Sequence, residues 1–254
     1  MSAIKTLIPS NPKFIRQLDN WDSYLQVSEF FSHTIQGEGI NIGKPAVFLR
    51  MQSCTMNCVW CDTASVWRQG NPYSFEELFE LMEKHGTIDF LRDGASLVLT
   101  GGSPLLQQKE LANFLFAFFD KYDFMPYVEV ENECTLVPNE LIPYVSCWNN
   151  SPKLSNSGNV PQLRYKPDVL KQLNQLDHSW FKFVIRNEND WQEIVEEFVL
   201  TGCVSPERII LMPVGGSREE LNKNAPTVVD IAIRNNVRYC SREHVQIWDT
   251  LTGV

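Results

Sequence analysis

Basic residues are scarce in this chain: 22 Lys and Arg stand against 31 Asp and Glu in 254 residues, a formal net charge of −9. A phosphate backbone is held by clustered cations, so this balance excludes a nucleic-acid partner. The one basic concentration, residues 153–166, is diluted with Ser, Asn and Gly and reads as a solvated loop. Long apolar runs are missing too. No stretch approaches the roughly 18 apolar residues that a membrane-spanning helix needs, and no apolar run followed by a small-residue cleavage site opens the chain. The expectation is a cytoplasmic protein without membrane contact. A secreted disulfide framework is also excluded, because the seven cysteines are odd in number and unevenly spaced. Histidine is rare, and His33, His85 and His178 show no partner spacing. No repeat or low-complexity tract occurs.

What is present is an alternation of elements. Short β-branched or aromatic runs (AVFLRM, SLVLT, YVEVE, VSCWN, FKFVI, RIILM) read as buried strands. Helical patterns lie between them. The clearest is SFEELFELMEKHG, where Ser74 caps the helix, Glu77 answers it three residues on, and Gly86 ends it. Others are QQKELANFLFAFFDKY, NDWQEIVEEFVL and SREELNKNAPTVVDIAIRNN, the last expected to kink or reset at Pro226. Repeated strand–helix units imply an α/β fold with a parallel sheet, open or closed into a barrel of about six units, and a site at the carboxyl ends of the strands. The length suits one domain over residues 1–254, with residues 1–24 as an extension packed on the outside.

Cys54, Cys58 and Cys61 fall in the loop after the first of these strands, and no fourth cysteine lies nearby. Structural zinc and ordinary ferredoxin clusters each want four protein ligands. Three thiolates on a four-iron cluster leave one iron open. A zinc site with a distant fourth ligand, or three buried thiols, is the alternative. Cys134, Cys147, Cys203 and Cys240 read as small buried hydrophobes.

The spacing Cys-x3-Cys-x2-Cys, with Trp60 before the last cysteine, resembles the radical S-adenosylmethionine superfamily. That resemblance implies an open iron that chelates the amino and carboxylate groups of S-adenosylmethionine and an electron that releases a 5'-deoxyadenosyl radical from it. LVLTGGSP ends a strand in Gly101 and Gly102, and paired glycines let a backbone come close to a ligand. It resembles the superfamily's Gly-Gly-Glu-Pro motif, which receives the amino end of the methionine moiety. Ser103 replaces the acid, so a hydroxyl stands where a charge is usual, and restoring Glu at 103 is expected to tighten cofactor binding.

Flanking segments narrow the resemblance. FFSHTIQGEGINIGKPAVFLRMQSCTMNCVWCDT, then LTGGSPLLQ, NSPKLSNSG, WFKFVI, LMPVGG and the C-terminal CSREHVQIWDTLTGV together look like 7-carboxy-7-deazaguanine synthase, from about residue 28 onward. The resemblance implies a partial (β/α)6 barrel, possibly with trimmed helices, and a magnesium-dependent homodimer. It also implies a lyase that converts 6-carboxy-5,6,7,8-tetrahydropterin to 7-carboxy-7-deazaguanine with loss of ammonia, on the way to queuosine-type 7-deazapurines. A reductant such as flavodoxin or ferredoxin is expected.

By the same resemblance, Ile35, Gln36, Gly37, Glu38, Arg50, Thr100 and the terminal carboxylate of Val254 meet the substrate, and Thr63 meets magnesium. Cys61, Asp62, Gly102, Ser103, Ser151, Pro152, Lys153 and Leu211, Met212, Pro213, Val214 surround the cofactor. The residue chemistry is consistent with these roles. Gln36 and Glu38 suit an amino-pyrimidinone edge, and the Arg50 fork suits a carboxylate. Without the resemblance, IQGEG reads equally as a glycine-rich turn, Arg50 as a rim ion pair, and SPK and LMPV as loops after strands. His244 falls in the C-terminal segment that the resemblance places beside substrate. A rival reading is a cluster-bearing relative whose chemistry has lapsed and which binds a partner protein.

Overall fold

The computed structural model describes residues 4–10, 23–251 and 253. Its centre is one sheet. Strand β1 (Lys5–Ile8) pairs antiparallel with β2 (Tyr24–Ile35), which pairs antiparallel with β3 (Pro45–Met51) and, at its start, with β4 (Asn71–Ser74). From β3 onward the order is parallel: β5 (Ser96–Gly101), β6 (Tyr127–Asn132), β7 (Cys147–Asn150), β8 (Ser179–Ile185), β9 (Ile209–Pro213) and the short β10 (Arg238–Tyr239). Six full parallel strands in sequence order fit the six-unit alternation read from the sequence and the partial (β/α)6 barrel that the resemblance implies.

The helices are α1 (Ala64–Trp67), α2 (Phe75–Lys84), α3 (Thr87–Arg92), α4 (Gln108–Tyr122), α5 (Pro161–Arg164), α6 (Pro167–Gln175), α7 (Glu188–Glu193), α8 (Arg218–Arg234) and α9 (Glu243–Trp248). Helix α2 starts where its sequence says. The Ser74 hydroxyl accepts the Glu77 N–H at 3.2 Å while the Glu77 carboxylate accepts the Ser74 N–H at 2.8 Å, a reciprocal cap worth about 1 kcal/mol. Two helices depart from expectation. After α7 the chain widens into a π-helical stretch, Ile194–Val199. Helix α8 runs through Pro226 without restarting, because Asn222 and Pro226 both lie on its exposed side, where water can take the carbonyl left without a donor.

Period-2 alternation divides each parallel strand between two layers. Val47 and Leu49, Leu97 and Leu99, Val128 and Val130, Phe181 and Phe183, and Ile209 and Leu211 face the helices and join one core with Leu78, Phe114, Leu170 and Ile231. Each such large side chain contributes roughly 1.5–3 kcal/mol by leaving water. The opposite faces point inside the curl of the sheet. There Phe31, Ala46, Phe48 and Val98 form one small apolar cluster and Val184, Ile210, Met212 and Cys240 another. Between them the interior is polar, with Glu129, Glu131, Asn149 and Lys182. Of the extension expected over residues 1–24, residues 5–8 form β1 along β2, and residues 1–3 and 11–22 lie outside the described residues. No helix among the described residues is long and apolar enough to cross a membrane.

Candidate functional site

One cavity of about 830 Å³ opens at the carboxyl ends of the parallel strands, the face where such sheets carry chemistry. Five of the six full parallel strands supply part of its wall from their inward faces: Arg50 from β3, Thr100 from β5, Glu131 from β6, Val184 from β8 and Met212 from β9. The loop after β2 adds Gln36, Gly37 and Glu38, the loop after β10 adds Arg242, and the first turn of α9 adds His244.

At one end of the cavity lie Cys54, Cys58 and Cys61. Each sulfur accepts an N–H: Cys54 from Met56 at 3.4 Å, Cys58 from the Asn159 side chain at 3.2 Å, and Cys61 from the Trp67 indole at 3.4 Å. Burial pushes the Cys54 and Cys58 thiols up, and the Lys153 ammonium with these donors works the other way, favouring thiolate. Donors of this kind suit cluster sulfurs, whose hydrogen bonds tune iron–sulfur potentials. No three His, Cys, Asp or Glu side chains among the described residues stand close enough to share a single metal ion. Cys134, Cys147, Cys203 and Cys240 are buried, as expected.

The Gly-Gly-Ser-Pro turn packs directly beneath the cysteine loop. A Cβ on Gly102 would stand 2.1 Å from the Ser53 carbonyl oxygen and 2.6 Å from Cys54 Cβ. The close approach that glycine permits is therefore to the loop's own backbone, although Gly102 also borders the cavity. Ser103 is fully buried and does not reach the cavity wall. Its N–H donates to Ser53 at 2.8 Å, its hydroxyl accepts the Thr55 N–H at 2.9 Å, and it lies 3.5 Å from Cys54 Sγ. A glutamate there would sit in a fully buried position and displace those bonds, which counts against the expected gain from Ser103→Glu. Leu211 and Pro152 are likewise off the wall: strand alternation turns Leu211 to the helices and Met212 to the cavity, and Pro152 is buried behind Ser151 and Lys153. Ile35, Asp62, Thr63, Pro213 and Val214 border the cavity. Val254 lies outside the described residues; Gly253 borders the cavity.

The other end is a lattice of ion pairs. Glu38 is held between Lys182 and Arg242, the latter at 2.7 Å, and Arg242 reaches on to Asp62. Burial alone raises a carboxyl, but Lys182, Arg242 and then His244 outweigh it and hold Glu38 well below the usual range. Lys182 stays charged despite burial because Glu38 and Glu131 face it. Burial pulls His244 below its ordinary value, and a Cβ on Gly37 would run into its ring at 1.9 Å. Arg50 donates through Nε to Glu29 at 2.6 Å. Behind them Gln36 donates to Glu129 at 2.6 Å and to Glu131 at 3.2 Å, and Thr100 donates to Glu131 at 2.8 Å. Burial raises the Glu129 carboxyl to about 7, against the pull of Asn41.

Several of these residues escaped the reading of the sequence. Lys182 did leave a mark, a lone charge inside the apolar run FKFVI, and Glu129, Glu131 and Glu133 recur every second residue from β6 onward. Arg242 and Glu29 left none.

Residues 35–124 match a family model described as a 4Fe-4S single cluster domain. The crystal structure of QueE from Escherichia coli shares the fold, with a TM-score of 0.65 at 22% identity over 87% of this chain and 95% of that one. The 7-carboxy-7-deazaguanine synthase of Rhodopirellula baltica is 30% identical, covering 91% of this chain and 90% of its own. That of Pyrobaculum aerophilum is 34% identical over 236 residues, 90% of this chain and 97% of its own. With three cysteines and an ion-paired end facing one cavity, and that similarity running nearly end to end, the chain belongs to the 7-carboxy-7-deazaguanine synthase family of radical S-adenosylmethionine lyases.

Proposed function

We propose that this chain converts 6-carboxy-5,6,7,8-tetrahydropterin to 7-carboxy-7-deazaguanine with loss of ammonia. The observation that carries the reading is one continuous cavity with a thiol end and a charge-paired end, since the reaction needs two ligands held in contact and away from solvent. Cys54, Cys58 and Cys61 would hold a 4Fe-4S cluster with S-adenosylmethionine beside it, and that pair would supply the hydrogen-abstracting radical chemistry. Gly102, Ser151, Lys153 and the wall from Met212 to Val214 border the space for that cofactor.

The protein's own part is positioning. Glu29 fixes Arg50 through Nε, and no other hydrogen bond of that guanidinium occurs among the described residues, so its terminal N–H groups suit the substrate carboxylate. Glu38, kept ionised by two cations, accepts from the pterin N–H groups, with Gln36 and Thr100 alongside. Thr63 offers a hard oxygen to magnesium, which the reading includes as a third cofactor. A flavodoxin or ferredoxin as reductant and a homodimer follow from the family resemblance, and a cytoplasmic location from the sequence. Anaerobic reconstitution with iron and sulfide, followed by assay with the tetrahydropterin, S-adenosylmethionine, magnesium and dithionite, tests the proposal. Product and ammonia in equal amounts are expected; S-adenosylmethionine cleavage with no deazaguanine formed would favour the lapsed, partner-binding relative instead.

A further inference from the structure

The three glutamates at 129, 131 and 133 meet different fates. Both oxygens of Glu129 are taken by side-chain amides of Gln36, Asn149 and Asn41 at 2.6, 3.1 and 2.7 Å. Both oxygens of Glu131 are taken by Gln36 and Thr100. Glu133 is 5% exposed, borders the cavity at the cysteine end, and has one oxygen satisfied. Its Oε1 accepts from the hydroxyls of Thr55 at 2.8 Å and Thr135 at 2.6 Å, while Oε2 has no partner among the described residues. A buried carboxylate oxygen without a donor is costly, so a charged donor arriving from the cavity is worth more there than at the surface.

The other carboxylates bordering the cavity do not offer this. Glu29, Glu38 and Asp62 are paired with Arg50, with Lys182 and Arg242, and with Arg242, while Glu220 is exposed and Asp249 half-buried, accepting the N–H groups of Gly216 and Arg218. The cation nearest in kind, Lys153 on the same wall, directs its ammonium to the Ser151 carbonyl at 2.6 Å and hydroxyl at 2.9 Å. Ser103, uncharged and buried, offers nothing to the cavity. It is joined to the acid through Thr55, whose Oγ1 lies 3.2 Å from Ser103 Oγ and whose N–H donates to it. The residue that follows the first cluster cysteine thus ties the hydroxyl of the Gly-Gly-Ser-Pro turn to the carboxylate at 133.

Resting on the function proposed above, we infer that Glu133 is the residue that takes the α-ammonium of S-adenosylmethionine, the charge that serine cannot supply at 103 being carried instead by the loop after β6. The ammonium donates to Oε2 while Thr55 and Thr135 hold Oε1 in place.

The test uses cluster-loaded enzyme and equilibrium dialysis without reductant, so that no turnover is involved. S-adenosylmethionine is compared with its desamino analogue, in which hydrogen replaces the α-ammonium. The parent is expected to prefer S-adenosylmethionine, and Glu133→Gln, with unchanged iron content and visible spectrum, to bind it about tenfold or more weakly while binding the analogue as the parent does. Equal affinity of parent and Glu133→Gln for S-adenosylmethionine, or an equal loss for both ligands, overturns the assignment. If Glu133→Gln does not take up the cluster, Glu133→Asp serves: its retracted carboxylate should shrink the preference between the two ligands, and an undiminished preference overturns the inference. A parent enzyme that binds neither ligand contradicts the function itself, which separates the two failures.

Discussion

At the ion-paired end of the cavity buried charges face opposite ones, Glu38 between Lys182 and Arg242 and Arg50 against Glu29, whereas at the cysteine end three sulfurs each rest on a single N–H and Glu133 keeps an oxygen without a donor among the described residues. The first end is organised by the protein alone. Its groups are desolvated and oriented by partners on other strands, so a planar polar substrate meets fixed donors and acceptors and little is left to order on binding. The second end is built to be completed by what binds there. Fixed geometry suits recognition of a substrate edge, and unspent coordination suits a cluster and its ligand.

Breaking the cysteine end should have the largest effect. Alanine at Cys54, Cys58 or Cys61 is expected to abolish bound iron and reduce S-adenosylmethionine cleavage to background, whereas alanine at Cys134, Cys147, Cys203 or Cys240 should leave both near parental levels. Iron per chain and visible absorbance report the outcome. At the paired end the loss is one of stability. Glu38→Gln strips Lys182 and Arg242 of their shared carboxylate, and breaking a buried pair from one side costs about 3–5 kcal/mol, read by denaturant unfolding of the cluster-free chain.

A smaller effect follows from pH. Glu38 is held below its ordinary value of 4.5, so its contribution to stability is fully present above that value and is lost as pH falls toward its folded value. Unfolding free energy measured from pH 6 to pH 3 should fall by up to about 1.4 kcal/mol per unit of that shift, and Glu38→Gln should flatten this part of the curve. The smallest expected change is at Ser103. Ser103→Ala removes the acceptor for the Thr55 N–H and the hydroxyl near Cys54 Sγ, which should cost about 1 kcal/mol and move the cluster midpoint potential to a more negative value. Denaturation and spectroelectrochemistry on that one variant check both parts.

The same division governs what was legible in the sequence. The six parallel strands and α2 were readable because apolar runs, caps and breakers act within a few residues, and the three cysteines because their spacing is itself the signal. Strand β2 was not, since both its faces are largely buried and no alternation marks it. The paired end was legible only in part: Arg242 meets Glu38 across 204 positions of chain, and a contact made by topology leaves no local pattern. Ser103 read as a weakened cofactor contact because the motif was taken alone. Its burial and its tie through Thr55 to Glu133 appear only once β5, β6 and the cysteine loop are brought together.

The division of labour between the two ends is tested most directly by crossing two substitutions with two ligands. S-adenosylmethionine, and then the tetrahydropterin with S-adenosylmethionine saturating, are titrated into cluster-loaded Glu38→Gln and Glu133→Gln without an electron donor. Glu133→Gln should weaken S-adenosylmethionine and spare the pterin, and Glu38→Gln should do the reverse. If both substitutions weaken the same ligand, or each weakens both alike, the two ends do not serve separate ligands and the account is wrong.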